Sequence, residues 1–155
     1  DMIAFGKKMQ VCGFLCSKRI DEVQENVFKV PSRINSTWGG NLVDMVRAQR
    51  YLEIIDEENL VENARIMGTY LVNGLHELAQ EFPSVVSNPR GLGLYAAFDV
   101  STPETRTKIR TACMQKGLIV LPSGETAIRF RPPLTVSREE LDLGLSIIKS
   151  AIKES

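Results

Sequence analysis

Hydrophobic and polar positions change period several times along the chain, and each change marks a new element. "MIAFG" and "VCGFLC" are short and apolar at successive positions, the pattern of strands buried on both faces of a sheet. "KRIDEVQENVFKVPSRINSTWGGN" holds turn formers and no sustained period, so it reads as a long connection. A structureless connection of that length inside a compact domain is usually functional. From Leu42 the pattern turns helical, with Leu42, Met45, Val46, Leu52 and Ile55 on one face and Arg47, Arg50, Glu53 and Glu57 on the other. Asn59 followed by Glu62 predicts the cap of a second helix. Its stripe is Leu60, Ala64, Met67, Leu71, Leu75, Leu78 and Phe82.

The last third shortens its period. "NPRG" reads as a turn and "LGLYAAFDV" as a buried strand weakened by Gly93. Thr102 before Pro103 opens a helix that closes at Gly117. "LIVLPSG" and "AIRFRPP" follow as strands around a glycine-containing turn. Ser137 with Glu140 forms a capping box for a final helix that turns Leu141, Leu145, Ile148 and Ile152 inward. From about residue 42 the chain thus predicts two helices and then a strand–helix–strand–strand–helix unit, a small α/β layer domain. Residues 1–41 complete nothing alone and read as the last strands of a sheet whose beginning is missing.

Composition narrows the function classes. With 19 basic and 19 acidic residues the formal net charge is zero, which supplies no global attraction to nucleic acid or an anionic membrane. No apolar run reaches the roughly 20 residues of a membrane span. The three cysteines, Cys12, Cys16 and Cys113, lack the spacing of a zinc site or a disulfide framework. They read as buried free thiols of a reducing compartment, and we expect a cytoplasmic protein without a metal. His76 has no ligating neighbour and reads as a surface or satisfied histidine.

Three stretches carry candidate chemistry. In "FGKKMQVCG" the lysine pair ends a strand. Desolvation and a neighbouring cation both disfavour a charged amine, which suits Schiff-base chemistry, while two exposed strand-end lysines are the plainer alternative. In "NSTWGGN", Ser36 and Thr37 offer hydroxyls, glycines allow close backbone approach, and Asn41 opens a helix whose N-terminus attracts anions. A capped turn would look the same. In "IRFRPPLTV", Arg129 and Arg131 share a strand face near its end, where an arginine fork suits a carboxylate, though two surface arginines fit as well.

In this order and spacing the motifs resemble, over essentially all of residues 1–155, the C-terminal part of class III aminotransferases, pyridoxal-phosphate enzymes of fold type I. The resemblance implies an α/β fold. Residues 1–41 would be the end of the large cofactor-binding domain, and residues 42–155 an interdomain helix and the small α/β domain. It implies that Lys7 forms the Schiff base with pyridoxal 5'-phosphate and later moves the proton at the substrate carbon, with Lys8 as its neighbour. Ser36 and Thr37 would reach the cofactor phosphate of the other subunit of a homodimer. Arg129 would grip the substrate α-carboxylate, and Asn35 would help shape the substrate pocket. The family's pyridine-nitrogen aspartate, ring-stacking aromatic and glycine-rich turn would lie before Asp1, so residues 1–155 alone are expected to be inactive.

Within the family, "GKKMQVCG" and "VPSRINSTWGGNLVDMVRAQR" are most similar to members that move the terminal amino group of L-lysine to 2-oxoglutarate. Members acting on 4-aminobutyrate or another omega-amino acid are the alternative. Small molecules, with no nucleic acid and no membrane, are the expected partners. A second class of reading is a non-catalytic interaction domain that keeps the fold. The joint presence of Lys7, Thr37 and Arg129 favours the enzyme.

Overall fold

The computed structural model describes residues 1–34, Thr37 and residues 40–155, which form two units, Asp1–Glu58 and Asn59–Ser155. In the first, strands β1 (Met2–Phe5) and β2 (Gly13–Cys16) pair antiparallel, with Ile3 opposite Leu15. Met2, Ile3 and Leu15 are 63–70% exposed, against the expectation of strands buried on both faces. Among the described residues this two-stranded ribbon is covered by no second layer, and a pair of strands alone is at best marginally stable.

The connection after β2 is more ordered than its composition suggests. A short 3₁₀ turn spans Lys18–Glu22, and the buried polar residue Asn26 ties that turn to the next one. Its amide donates to the carbonyls of Ile20 and Val23, and its Oδ1 accepts from the Phe28 amide. Asn41 caps helix α1 (Leu42–Glu57) by accepting from the Val43 amide at 3.0 Å. Among the α1 residues only Ala48 is buried, and the predicted apolar face of Leu42, Met45, Val46 and Leu52 is exposed.

The second unit begins with helix α2 (Leu60–Glu81). Asn59 stands at its cap position in a left-handed conformation and makes no side-chain cap bond, so the expected Asn59–Glu62 cap is not formed. The predicted stripe does hold, with Leu60, Leu71, Leu75 and Leu78 buried. Strands β3 (Val86–Leu92) and β4 (Tyr95–Val100) form a hairpin whose turn contains Gly93 at φ +54°. Here the sequence reading is off by one turn. "NPRG" lies inside β3 at a bulge, and the reversal falls at Gly93–Leu94. The bulge takes up Asn88 and Pro89, which fit no regular ladder, and asparagine tolerates the left-handed φ of 49° there.

Helix α3 (Pro103–Gln115), strands β5 (Leu121–Ser123) and β6 (Ala127–Phe130), and helix α4 (Arg138–Lys153) follow as predicted. Thr102 Oγ1 accepts from the Thr105 amide, and both halves of the Ser137–Glu140 capping box are made. The sheet runs β3-β4-β6-β5, antiparallel throughout. One face, with Ala96, Phe98, Val100, Ile128 and Phe130, is buried with Leu75, Ile109 and Ile148 of the three helices in a single core. The other face is left for polar residues. Among the described residues no helix is long and apolar enough to cross a membrane, and no group of three or more His, Cys, Asp or Glu could hold a metal.

Candidate active site

Lys7 follows β1 in a 3₁₀ turn over Lys7–Met9 and has a φ of 53°. A non-glycine residue in this region costs about 1–2 kcal/mol, and such strain gathers at functional positions. The turn is held by its backbone. The Gln10 amide donates to the Lys7 carbonyl at 2.9 Å, and the Met9 amide donates to that of Gly6. Gly6 is packed on Cys12, since a Cβ there would lie 3.1 Å from its Sγ. Gln10 is itself left-handed, and its Oε1 accepts from Arg47 of α1 at 3.4 Å. The result is a braced turn that presents Lys7 and Lys8, both exposed and both without a side-chain partner among the described residues.

That exposure bears on the desolvation argument made from sequence. Among the described residues of the first unit Lys7 is exposed. Thr37 is exposed, and Gly40, whose φ of 77° suits glycine, directly precedes Asn41, the cap of α1. Ser36 and Asn35 lie outside the described residues.

Arg129 sits on β6 with Ala97 of β4 opposite on one side and Leu121 of β5 on the other. Ile128 and Phe130 point into the core, so strand alternation sends Arg129 to the open face. It is half-buried, and its Nε is buried with no hydrogen-bond partner among the described residues. A buried donor left unanswered is uncommon in a native fold. Arg131, two residues on, is exposed and lies over the Tyr95 ring at 5.8 Å. Hence the two arginines of the motif differ: one stacks on an aromatic face, and the other keeps an unanswered donor. A cavity of about 440 Å³ lies nearby, lined chiefly by packing residues such as Leu71, Val120, Val136, Leu141 and Ile148, with Arg129 and Arg131 also bordering it. Its walls offer little polar chemistry, and the charged groups collect on the open face of the sheet.

Two arrangements lay beyond sequence reasoning. Gly68 of α2 touches the Gly93 turn so closely that a Cβ would fall 2.2 Å from the Gly93 carbonyl carbon and oxygen. Two glycines 25 positions apart give no periodic signal. On the open face Asp99 accepts from Arg90 at 3.0 Å on one oxygen and from Asn88 at 2.8 Å on the other, while Arg90 also donates to the Asn88 carbonyl. Burial works to raise the Asp99 carboxyl, and the hydrogen bonds from Arg90 and Asn88 outweigh it, holding it below the ordinary range. The bulge in β3 brings these three together, and only the structure shows it.

The cysteines divide. Cys113 is buried, and burial pushes its thiol up against a smaller opposing effect of Lys116. Cys12 is exposed and Cys16 half-buried, so the expectation of three buried thiols fails for the two on the uncovered hairpin.

The chain belongs to the class III aminotransferases. Residues 1–152 match the family described as aminotransferase class-III. The chain is 53% identical over 152 residues to the L-lysine-epsilon aminotransferase of Mycobacterium tuberculosis, covering 98% of this chain and 34% of that protein. It is 49% identical over 153 residues to the protein of that name from Amycolatopsis lactamdurans, again covering 98% and 34%. The solved lysine aminotransferase of M. tuberculosis in its internal aldimine form superposes with a TM-score of 0.94 at 52% identity, over 99% of this chain and 35% of that one. The chain therefore spans about a third of the length of the relatives it matches. Relatives named for acetylornithine or 4-aminobutyrate are 38% identical or less.

The family is pyridoxal-phosphate dependent, and the residues present fit that group. Lys7 offers an unpartnered primary amine for an aldehyde, and Thr37 a solvent-facing hydroxyl for a phosphate.

Proposed function

We propose that the protein to which this chain belongs moves the terminal amino group of L-lysine to 2-oxoglutarate, giving 2-aminoadipate 6-semialdehyde and glutamate. The observation that carries this reading is the gradient of similarity among the relatives. Identity to lysine aminotransferases is 48–53% over nearly the whole chain, against 38% or less for relatives named for other amino donors. An omega-amino acid such as 4-aminobutyrate is the weaker alternative.

Pyridoxal phosphate supplies, when bound, an electron sink and a temporary carrier for the amino group. The chain supplies the rest. Lys7 holds the cofactor covalently, and its amine, once released, moves a proton at the substrate carbon that bears the amino group. The braced turn keeps that amine from swinging away. Arg129 holds a substrate carboxylate, a task that suits the fork of its guanidinium. Ser36 and Thr37 bind the cofactor phosphate of a second subunit, so the active protein is a homodimer, and Asn35 shapes the substrate pocket. Residues 1–41 belong to the large domain and 42–155 to the interdomain helix and small domain. The protein acts in the cytoplasm on small molecules.

The test is glutamate formation from 2-oxoglutarate by the full-length protein, with L-lysine, 4-aminobutyrate and acetylornithine as competing donors. L-lysine should give the highest kcat/KM. Preference for either other donor would overturn the substrate assignment.

A further inference from the structure

We propose that Arg90 and Asn88 act as positioning residues that hold the Asp99 carboxylate away from Arg129, leaving Arg129 free for a substrate carboxylate; this rests on Arg129 being the carboxylate-binding residue. The register defines the problem. Asp99 is opposite Ala127 and Arg129 is opposite Ala97, so Asp99 and Arg129 are diagonal neighbours on the open face. Such neighbours lie about 7–8 Å apart, within reach of a long side chain. Among the described strand residues of this face Asp99 is the one carboxylate. A free Asp99 would be an internal anion within reach of the Arg129 fork, and a carboxylate substrate would have to displace it.

The structure opposes that pairing by tying down each oxygen with a hydrogen bond that points the carboxylate toward β3. Oδ1 accepts from Arg90 at 3.0 Å and Oδ2 from Asn88 at 2.8 Å. Arg90 is fixed in turn by its 2.9 Å bond to the Asn88 carbonyl, and the bulge between Ser87 and Arg90 sets both residues over Asp99. Ala97 lies between Arg90 and Arg129 in the cross-strand row, and its methyl leaves the space beside Arg129 open. The lowered acidity range of Asp99 agrees with a carboxylate that is already fully engaged. Meanwhile the Arg129 Nε stays without a partner. An acid so placed contributes to the β3–β4 hairpin at no loss to the anion site.

The test uses the full-length protein and four variants: Arg90→Gln, Asn88→Gly, Asp99→Asn and the double variant Arg90→Gln/Asp99→Asn. Glycine suits position 88 because its φ is 49°. Arg90→Gln should raise KM for the substrate that Arg129 holds by about two- to fivefold, the upper part of the range for a partly exposed competing ion pair, with kcat within about twofold. Asn88→Gly, which frees one oxygen, should raise it less. Asp99→Asn should match the wild type, and the double variant should return to it. That rescue, read together with an unchanged kcat, is the decisive readout: an Arg90 that touches substrate itself would not be restored by removing Asp99, and a purely structural loss would lower kcat and the melting temperature along with the affinity. An Arg90→Gln variant with unchanged KM, or a double variant as impaired as the single one, overturns the proposal. If Arg90→Gln does not fold, Asn88→Gly with and without Asp99→Asn gives the same comparison. Binding of 2-oxoglutarate by calorimetry reads the same pattern without turnover. A wild-type protein that binds the oxo acid but does not use lysine would refute the substrate assignment alone.

Discussion

Replacing Arg129 tests the site most directly. Arg129→Lys keeps the charge but not the fork, so a bidentate contact becomes a single one. Losing one hydrogen bond to a charged group removes about 1.5–3 kcal/mol, a factor of roughly ten to a hundred and fifty in kcat/KM. Arg129→Leu leaves the substrate carboxylate unpaired in a half-buried site. That costs about 3–5 kcal/mol, from roughly a hundredfold to a few thousandfold. Arg131 is exposed and already stacked on Tyr95, so Arg131→Lys should change either substrate by less than about threefold.

Substrate chemistry adds a second readout. In 2-oxoglutarate the reacting carbon is bonded directly to the α-carboxylate, whereas in L-lysine the reacting carbon is at the far end of the side chain. One guanidinium at a fixed distance from the reacting carbon cannot hold both α-carboxylates in one pose. Separate kcat/KM values for the two substrates report the two half-reactions, and Arg129→Lys should affect them unequally. Steady-state kinetics of the three variants with both substrates is the assay. Arg129→Leu sparing both substrates, or Arg131→Lys costing more than Arg129→Lys, would refute the assignment of the anion site.

Other expectations come from separate parts of the fold. Gly68→Ala should lower the melting temperature of the full-length protein, although alanine favours a helix by about 1 kcal/mol, because the new Cβ meets backbone at 2.2 Å and overpacking of this kind costs about 1–3 kcal/mol or more. A melting temperature at or above wild type would show that α2 and the turn can separate freely. Borohydride reduction of the cofactor-loaded protein, followed by peptide mapping, should place the cofactor on Lys7, and label on Lys8 would reverse the roles of the pair. The Asp99 carboxyl is held low in the folded state, so its contribution to stability is complete above its ordinary value of 3.8 and is lost as pH falls through the lower folded value. The melting-temperature difference between wild type and Asp99→Asn should be flat near neutrality and shrink only in that acid range. A difference that instead disappears near neutral pH would contradict the clamp.

How much of the fold and site was legible depended on the range of the interactions. Local rules placed the Thr102 and Ser137 caps and the leucine stripe of α2, because each needs residues only three or four apart. The hairpin turn was misplaced by a few residues since Asn88–Pro89 carries stronger turn chemistry than Gly93–Leu94. A bulge stabilised by a distant carboxylate let the strand run through it. The exposed faces of β1 and α1 were unreadable for another reason. Alternation and helical period report that a face is apolar, not what covers it. The sequence offers Lys7 and Arg129 as candidates, yet neither the braced turn under Lys7 nor the unanswered Nε of Arg129 has a sequence signature.

The open face of the sheet also shows where an argument from overall charge stops. The whole chain is neutral, which supplies no protein-wide attraction for a polyanionic partner. Locally the strand positions on this face carry Arg90 and Arg129, with Arg131 just beyond β6, against Asp99 alone. A small dianion needs no protein-wide field, only two or three donors fixed at the right spacing in a partly dry site. Arginine serves better than lysine because the fork is rigid and a second arginine can be committed elsewhere without losing its charge. Here the commitments are separate: Arg90 to Asp99, Arg131 to Tyr95, and Arg129 to no group among the described residues. Specificity for a carboxylate then rests chiefly on the free arginine, and the occupied Arg90 adds to it because its release would leave Asp99 free to compete.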